Sequence, residues 1–321
     1  MVKSLLVIRF SAIGDILLTA PVLQALAEKG VEVDLLVKER NTSVAHTLPS
    51  VRAVYCWEKD RARLQKYSKE HYDAVLDLQG TRQSKLFAKG LELPRASFDK
   101  PYLRRALLLW TKSQRFALSP VVERYQRAAE ELVPEIRLSR NPSFQLNDLS
   151  AVPEAPYVLL VIGGSQRGKR LSAEAWSQIL ASLDRFSISC VLLGGPSDNR
   201  MAEQLCAAYP NTLDATHTSI QQGLAVVSRA NLVVSGDTGF MHAAALLGKP
   251  LVSFWGATHP SLGFAPWPAR ENQYRVCTKS RLSPLHKHGK VPFWASNPMD
   301  AVDVKAIITA IEQILQGKTA P

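Results

Sequence analysis

Four cysteines stand in 321 residues, at Cys56, Cys190, Cys206 and Cys277, and no two of them form a CxxC pair. That scarcity excludes a disulfide framework and a cysteine-based zinc module, and it reads as reduced, mostly buried thiols. Long apolar runs are also missing. Stretches such as 107–110, 157–162 and 243–247 fall far short of the ~18–20 residues a bilayer-spanning helix needs. A GxGxxG fingerprint is absent, which removes the dinucleotide-binding reading. No short-period repeat or low-complexity tract interrupts the chain.

Acidic residues are in deficit: 28 Asp plus Glu against 39 Lys plus Arg, for a formal net charge of +11. Such a balance suits an anionic partner, whether nucleic acid, an anionic membrane surface or a phosphorylated small molecule. The basic excess is spread over both halves, without a helix-turn-helix, RNP or zinc signature, which argues against nucleic acid. What is present is an ordinary folded composition, 46% apolar and 21% charged, incompatible with global disorder. At roughly 100–200 residues per domain, the length suggests two domains. The opening MVKSLLVIRFSAIGDILL begins like a secretion signal, but Arg9 and Asp15 interrupt its apolar segment. It reads as the first buried strand of a cytoplasmic protein.

Strand and helix patterns alternate along the chain. Strands are expected over 4–9, 31–37 and 73–78, with helices over 16–29, 61–70 and 120–138. The stretch 141–156, with three prolines and little periodicity, reads as the linker. The grammar then repeats: strands over 157–162, 189–193, 232–235 and 250–254, and helices over 173–185, 199–208, 220–228 and 240–247. An amphipathic tail runs over 300–316. This alternation implies parallel βαβ units. The expected class is α/β, with two Rossmann-like doubly wound domains, 1–150 and 151–321, facing each other across a cleft. The terminal helix is expected to pack back on the first.

In open α/β sheets ligands bind beyond the carboxyl ends of the strands, where three loops stand out. In Ser11–Asp15, Asp15 falls at the start of a helix. It either complements the helix dipole or acts as a general base on an incoming hydroxyl. In 163–170 (GGSQRGKR), three glycines and three cations follow a strand, which suits a diphosphate. Arg170 stands where a Walker A loop needs Ser or Thr, so this is not a P-loop. In 235–242 (SGDTGFMH), the N–H groups at a helix start, the Thr238 hydroxyl and His242 form a second anion seat.

These motifs, IRFSAIGDILLTAPVLQAL and LVVSGDTGFMHAAALLGKPLVSFWGATHP, resemble those of the bacterial lipopolysaccharide heptosyltransferases, glycosyltransferase family 9. The likeness runs over about residues 1 to 315. It implies a GT-B fold with the acceptor mostly on the first domain and the donor mostly on the second. It also implies an inverting, metal-independent transfer of heptose from ADP-heptose to the inner core on lipid A, with no cofactor. Carried over, Asp15 matches the general base, and Lys169 the lysine on the donor phosphates. Ser165 sits at a hydroxyl position near the same group. Asp237, Thr238, Gly239 and His242 match the DTGxxH element, and Asp198 an acidic position that holds the ribose. The motifs are weaker at choosing a member, so another nucleotide sugar or acceptor is the alternative.

Two departures from that pattern concern packing and a loop. Leu171 replaces a common tryptophan. Where relatives carry a Cys-rich stretch, only Cys277 and Met299 remain around SRLSPLHKHGKVPFWASNP. Its His286 and His288, lacking thiol or carboxylate neighbours, read as part of a basic surface loop rather than a metal site. Five basic residues and no acidic ones lie between Lys100 and Val122, interleaved with Leu107, Leu108, Leu109 and Trp110. Such a segment is either an ordinary helix with a solvated face or a contact for phosphorylated lipid A and the anionic inner face of the membrane. The latter makes the protein peripheral there.

Overall fold

The computed structural model describes residues 2–154 and 156–317, so residue 155 of the expected linker lies outside the described residues. The chain forms two compact units. One comprises residues 1–101 and 119–145, the other residues 102–118 and 146–321. The change of unit at 145–146 lies within the proline-bearing stretch, whereas 102–118, expected in the first domain by its place in the chain, groups with the second unit.

The first unit alternates β1 (Ser4–Ile8), α1 (Ile13–Leu17), α2 (Ala20–Glu28), β2 (Glu32–Val37), α3 (Thr42–Ala45), β3 (Ala53–Cys56), α4 (Trp57–His71), β4 (Ala74–Asp77), α5 (Arg82–Gly90) and β5 (Arg95–Ser97). Its five strands are parallel in the order β3-β2-β1-β4-β5. Leu5, Leu6, Val7 and Ile8 of the central strand are fully buried, as an inner strand covered on both faces requires. Each such side chain contributes about 1.5–3 kcal/mol by leaving water. The single helix expected over 16–29 is two. Pro21 lacks the N–H that would continue the first, and the Thr19 hydroxyl donates to the Ile16 carbonyl at 2.6 Å to close it.

Helix α6 (Tyr102–Thr111) groups with the second unit and α7 (Val121–Glu130) with the first. The second unit continues with β6 (Tyr157–Val161), α8 (Ala173–Asp184), β7 (Ser189–Leu193), α9 (Asn199–Ala208), β8 (Thr212–Asp214), α10 (Ile220–Arg229), β9 (Leu232–Gly236), α11 (Gly239–Leu246), β10 (Leu251–Trp255), β11 (Gln273–Cys277) and α12 (Val304–Leu315). Its strands are parallel in the order β11-β10-β9-β6-β7-β8. Ser172 caps α8 by accepting from Ala175 N–H at 3.2 Å, and Asp303 caps α12 by accepting from Ala306 N–H at 3.2 Å. Helix α12 buries Ile307, Ala310 and Ile311 with Trp176 and Phe254 in the second unit's own core. Leu171 belongs to the same cluster, so the replaced tryptophan position is a packing position.

Both sheets are doubly wound. The strand order reverses between β1 and β4 in the first unit and between β6 and β9 in the second. Ligands of such sheets bind beyond the strand ends at those reversals. The Asp15 loop leaves β1, the Lys169 loop leaves β6 and the Asp237 loop leaves β9.

Candidate active site

In the first unit, Asp15 sits in the opening turn of α1. Its carboxylate accepts from Ala12 N–H at 3.1 Å and lies 2.7 Å from an Arg9 guanidinium nitrogen. Arg9 is almost wholly buried at the end of β1. It donates to the Leu78 carbonyl at 2.6 Å and lies over the Tyr125 ring, 5.6 Å from its centre. Burial opposes the Arg9 charge, but Asp15, Tyr125 and Asp77 together offset this and hold the guanidinium above its ordinary range. The carboxylate itself keeps 23% exposure and so is reachable from solvent. The arrangement holds a partly open carboxylate by a buried cation. Sequence reasoning missed Arg9, although a charge closing a buried apolar strand was a usable signal.

Beside it, β4 ends in Asp77. Its carboxylate accepts from Gln79 and Gly80 N–H groups at 3.0 and 2.9 Å and from the Ser84 hydroxyl at 2.9 Å. Burial nonetheless holds Asp77 above the usual carboxylate range. The Gln79 side chain then accepts from Ser11 N–H at 3.4 Å. The loops after β1 and β4 are thus tied together at the reversal point.

In the second unit, the Lys169 ammonium lies 2.7 Å from Asp237, and His242 Nε2 lies 3.8 Å from the other oxygen of that carboxylate. Lys169 follows β6 and Asp237 follows β9, so this contact spans the strand reversal. Thr238 is the N-cap of α11. Its Oγ1 accepts from Met241 N–H at 3.2 Å and is 2.9 Å from the Ser235 hydroxyl. Gly239 opens that helix, where the first N–H groups lack intrahelical acceptors and the dipole favours an anion. Gly236 is needed for close approach, because a Cβ there would run into the Lys169 carbonyl. The structure therefore brings Lys169, Asp237, Thr238, Gly239 and His242 together.

Ser165 lies exposed on the same loop. Asp198 is buried; it accepts from Gly195 N–H at 2.9 Å and pairs with Arg170. Its Oδ2 also occupies the space that a Cβ at Gly163 would need. Asp198 thereby joins the loops that follow β6 and β7, a tie the sequence did not disclose.

The segment after β11 adds a wall that sequence reasoning treated as surface. Ala257 N–H donates to the Gly168 carbonyl at 2.9 Å, and the Ala257 carbonyl accepts from Leu285 and His286 N–H groups at 2.9 and 3.1 Å. Gly289, at φ +78°, leaves no room for a Cβ: one would stand 2.7 Å from Lys169 Cγ. Among the described residues, no group of three or more His, Cys, Asp and Glu side chains is placed to hold a metal ion. No helix among them is long and apolar enough to cross a membrane.

Comparison with known proteins agrees with this fold. Lipopolysaccharide heptosyltransferase 1 of Pseudomonas aeruginosa is 26% identical over 285 residues, covering 79% of this chain and 79% of that protein. Among solved structures, E. coli ADP-heptose LPS heptosyltransferase II superposes with a TM-score of 0.74 at 18% identity, covering 98% of this chain and 99% of that one. E. coli heptosyltransferase WaaC with ADP gives 0.69 at 21% identity, with coverages of 97% and 99%. At these identities the structures establish the shared GT-B fold. The model of glycosyltransferase family 9 (heptosyltransferase) matches residues 61–293. A match over that length places the chain in glycosyltransferase family 9, the heptosyltransferases, and makes it a glycosyltransferase.

Proposed function

We propose that this glycosyltransferase moves heptose from ADP-heptose to the inner core of lipopolysaccharide, with inversion at the anomeric carbon. The observation that carries this reading is the Lys169–Asp237 contact across the β6/β9 reversal, beside the start of α11. Asp15 accepts the proton of the acceptor hydroxyl as its oxygen bonds to the anomeric carbon. The bond from that carbon to the diphosphate breaks on the opposite face, and ADP leaves with the electron pair. Lys169 and the N–H groups at Thr238–Gly239 meet the charge that develops on the diphosphate. In this scheme those groups do the work a metal would otherwise do.

Asp237 and His242 act as positioning groups: the first orients Lys169, the second supports the first. Ser165 is assigned to the phosphates and Asp198 to the ribose on the resemblance. The acceptor, a phosphorylated lipid, puts the enzyme at the anionic inner face of the membrane as a peripheral protein. Two relatives support the donor assignment by name: one is an ADP-heptose LPS heptosyltransferase and another is bound to ADP.

The test is transfer from ADP-heptose to heptose-deficient lipopolysaccharide, followed by the configuration of the new linkage. Product with inverted configuration, abolished in Asp15→Asn, is expected. Transfer from a UDP-sugar but not from ADP-heptose, or product of retained configuration, would contradict the reading.

A further inference from the structure

The segment 285–297 is fastened to the Lys169 loop at several points. The Ala257 backbone bridges Gly168 to Leu285 and His286, Arg167 donates to the Ala295 carbonyl at 3.5 Å, and Asn297 donates to the Arg167 carbonyl at 3.4 Å. Gly289 N–H closes a turn onto the His286 carbonyl at 3.1 Å, and Gly289 itself packs on the aliphatic stem of Lys169. His286 therefore stands one short turn away from the contact with Lys169. Its Nδ1 accepts from His288 N–H at 3.0 Å. A ring nitrogen that accepts carries no proton, so the neutral imidazole keeps its proton on Nε2, where it is a donor.

We propose that His286 is a second anion-binding group of the donor site, donating its Nε2–H to the diphosphate held by Lys169. The proposal rests on the reading of the Lys169 loop as a diphosphate seat. The charges acting on the ring are those of Lys287, Lys290 and Lys169, and the His288 ring lies 5.7 Å away. Burial first, and then those three cations, hold His286 below the ordinary imidazole value. A bound diphosphate offsets the field of those cations and so raises the ring's titration midpoint, while protonation of Nδ1 would still have to break its bond from His288 N–H.

The experiment titrates the wild-type protein, His286→Ala and His286→Gln with inorganic pyrophosphate, ADP and UDP, and follows the His286 ring by NMR. Pyrophosphate is expected to bind His286→Ala roughly three- to tenfold more weakly than wild type. His286→Gln, which keeps an N–H donor, is expected to recover part of that loss. The His286 titration midpoint should rise when pyrophosphate saturates the site, a change that a purely structural role would not produce. Thermal melts of both variants separate lost binding from lost folding. Equal affinities in wild type and His286→Ala with an unmoved midpoint would overturn the proposal. Pyrophosphate binding that depends on His286, without preference for ADP over UDP, would support it and remove the ADP-sugar reading. ADP binding that ignores His286→Ala would do the reverse, and a wild type that binds none of the three would overturn both.

Discussion

The Lys169 ammonium lies 2.7 Å from the Asp237 carboxylate, with side-chain exposures of 13% and 6%. A lysine held this way has little rotamer freedom left to lose on meeting the proposed diphosphate. The carboxylate also lies within 3.8 Å of His242, so one acidic group organises two potential donors. The DTGxxH pattern thus has a physical content: Asp237 aims the cation, Thr238 caps the helix, and Gly239 exposes its first N–H groups.

Replacing Asp15 by Asn is expected to lower turnover by roughly two decades or more, the usual contribution of a positioned general base. It also removes the charge that balances buried Arg9. Loss of a fully buried pair's partner costs about 3–5 kcal/mol; water reaching Asp15 reduces this to about 1–3 kcal/mol. Single-turnover kinetics and a urea titration read the two effects separately. Turnover within a factor of a few of wild type would remove Asp15 as the base.

Gly289→Ala is expected to weaken ADP binding and lower the melting temperature together. Its φ of +78° disfavours any side chain, and a Cβ would press on Lys169 Cγ at 2.7 Å. The backbone penalty alone is about 1–2 kcal/mol. Calorimetry and a thermal melt check it; an unchanged affinity would mean that the wall does not position Lys169.

Alkaline pH should destabilise the second unit through two buried groups. Burial, aided by Asp184, pushes the Cys190 thiol up from 9.0 to about 12. Burial, opposed by Arg229, pushes Tyr157 up from 10.0 to about 12. Both are neutral when protonated, so the folded state holds protons that the unfolded state has already released. Their contribution is complete below the unfolded values and is lost as pH rises through the window from 9.0 or 10.0 to about 12. Each contributes a slope of at most about 1.4 kcal/mol per pH unit. Urea midpoints measured across that window should fall less steeply in Cys190→Ala than in wild type, and identical slopes would contradict the assignment.

Helix α6 presents Tyr102, Leu103 and Trp110 at 59%, 75% and 82% exposure, while Leu108 is buried. Arg105 lies over the Tyr102 ring at 5.0 Å. A paired substitution, Leu103→Ser with Trp110→Ser, is expected to reduce sedimentation with phosphatidylglycerol vesicles about tenfold and to leave ADP binding unchanged. Equal sedimentation of wild type and variant would return α6 to an ordinary solvated helix.

Central strands were legible because their apolar runs are nearly continuous: 157–162 reads as β6 and 4–9 as β1. The edge strands β3, β5, β8 and β11 were missed, since each has only three to five residues and partly exposed positions. Lys169 and Asp237 were legible as motif residues, but their contact was not, because 67 residues separate them in the chain and only the sheet order joins them. Arg9 and Gly289 escaped for a similar reason. Their roles depend on what packs against them, which neither composition nor periodicity contains.

The most direct measurement is calorimetric titration of the protein with ADP and UDP, repeated on Lys169→Ala. The account predicts ADP binding that exceeds UDP binding and that weakens by about two decades or more when the lysine is removed, as expected for loss of a buried charged contact to phosphate. Equal ADP affinity in wild type and Lys169→Ala, or a preference for UDP, would contradict it.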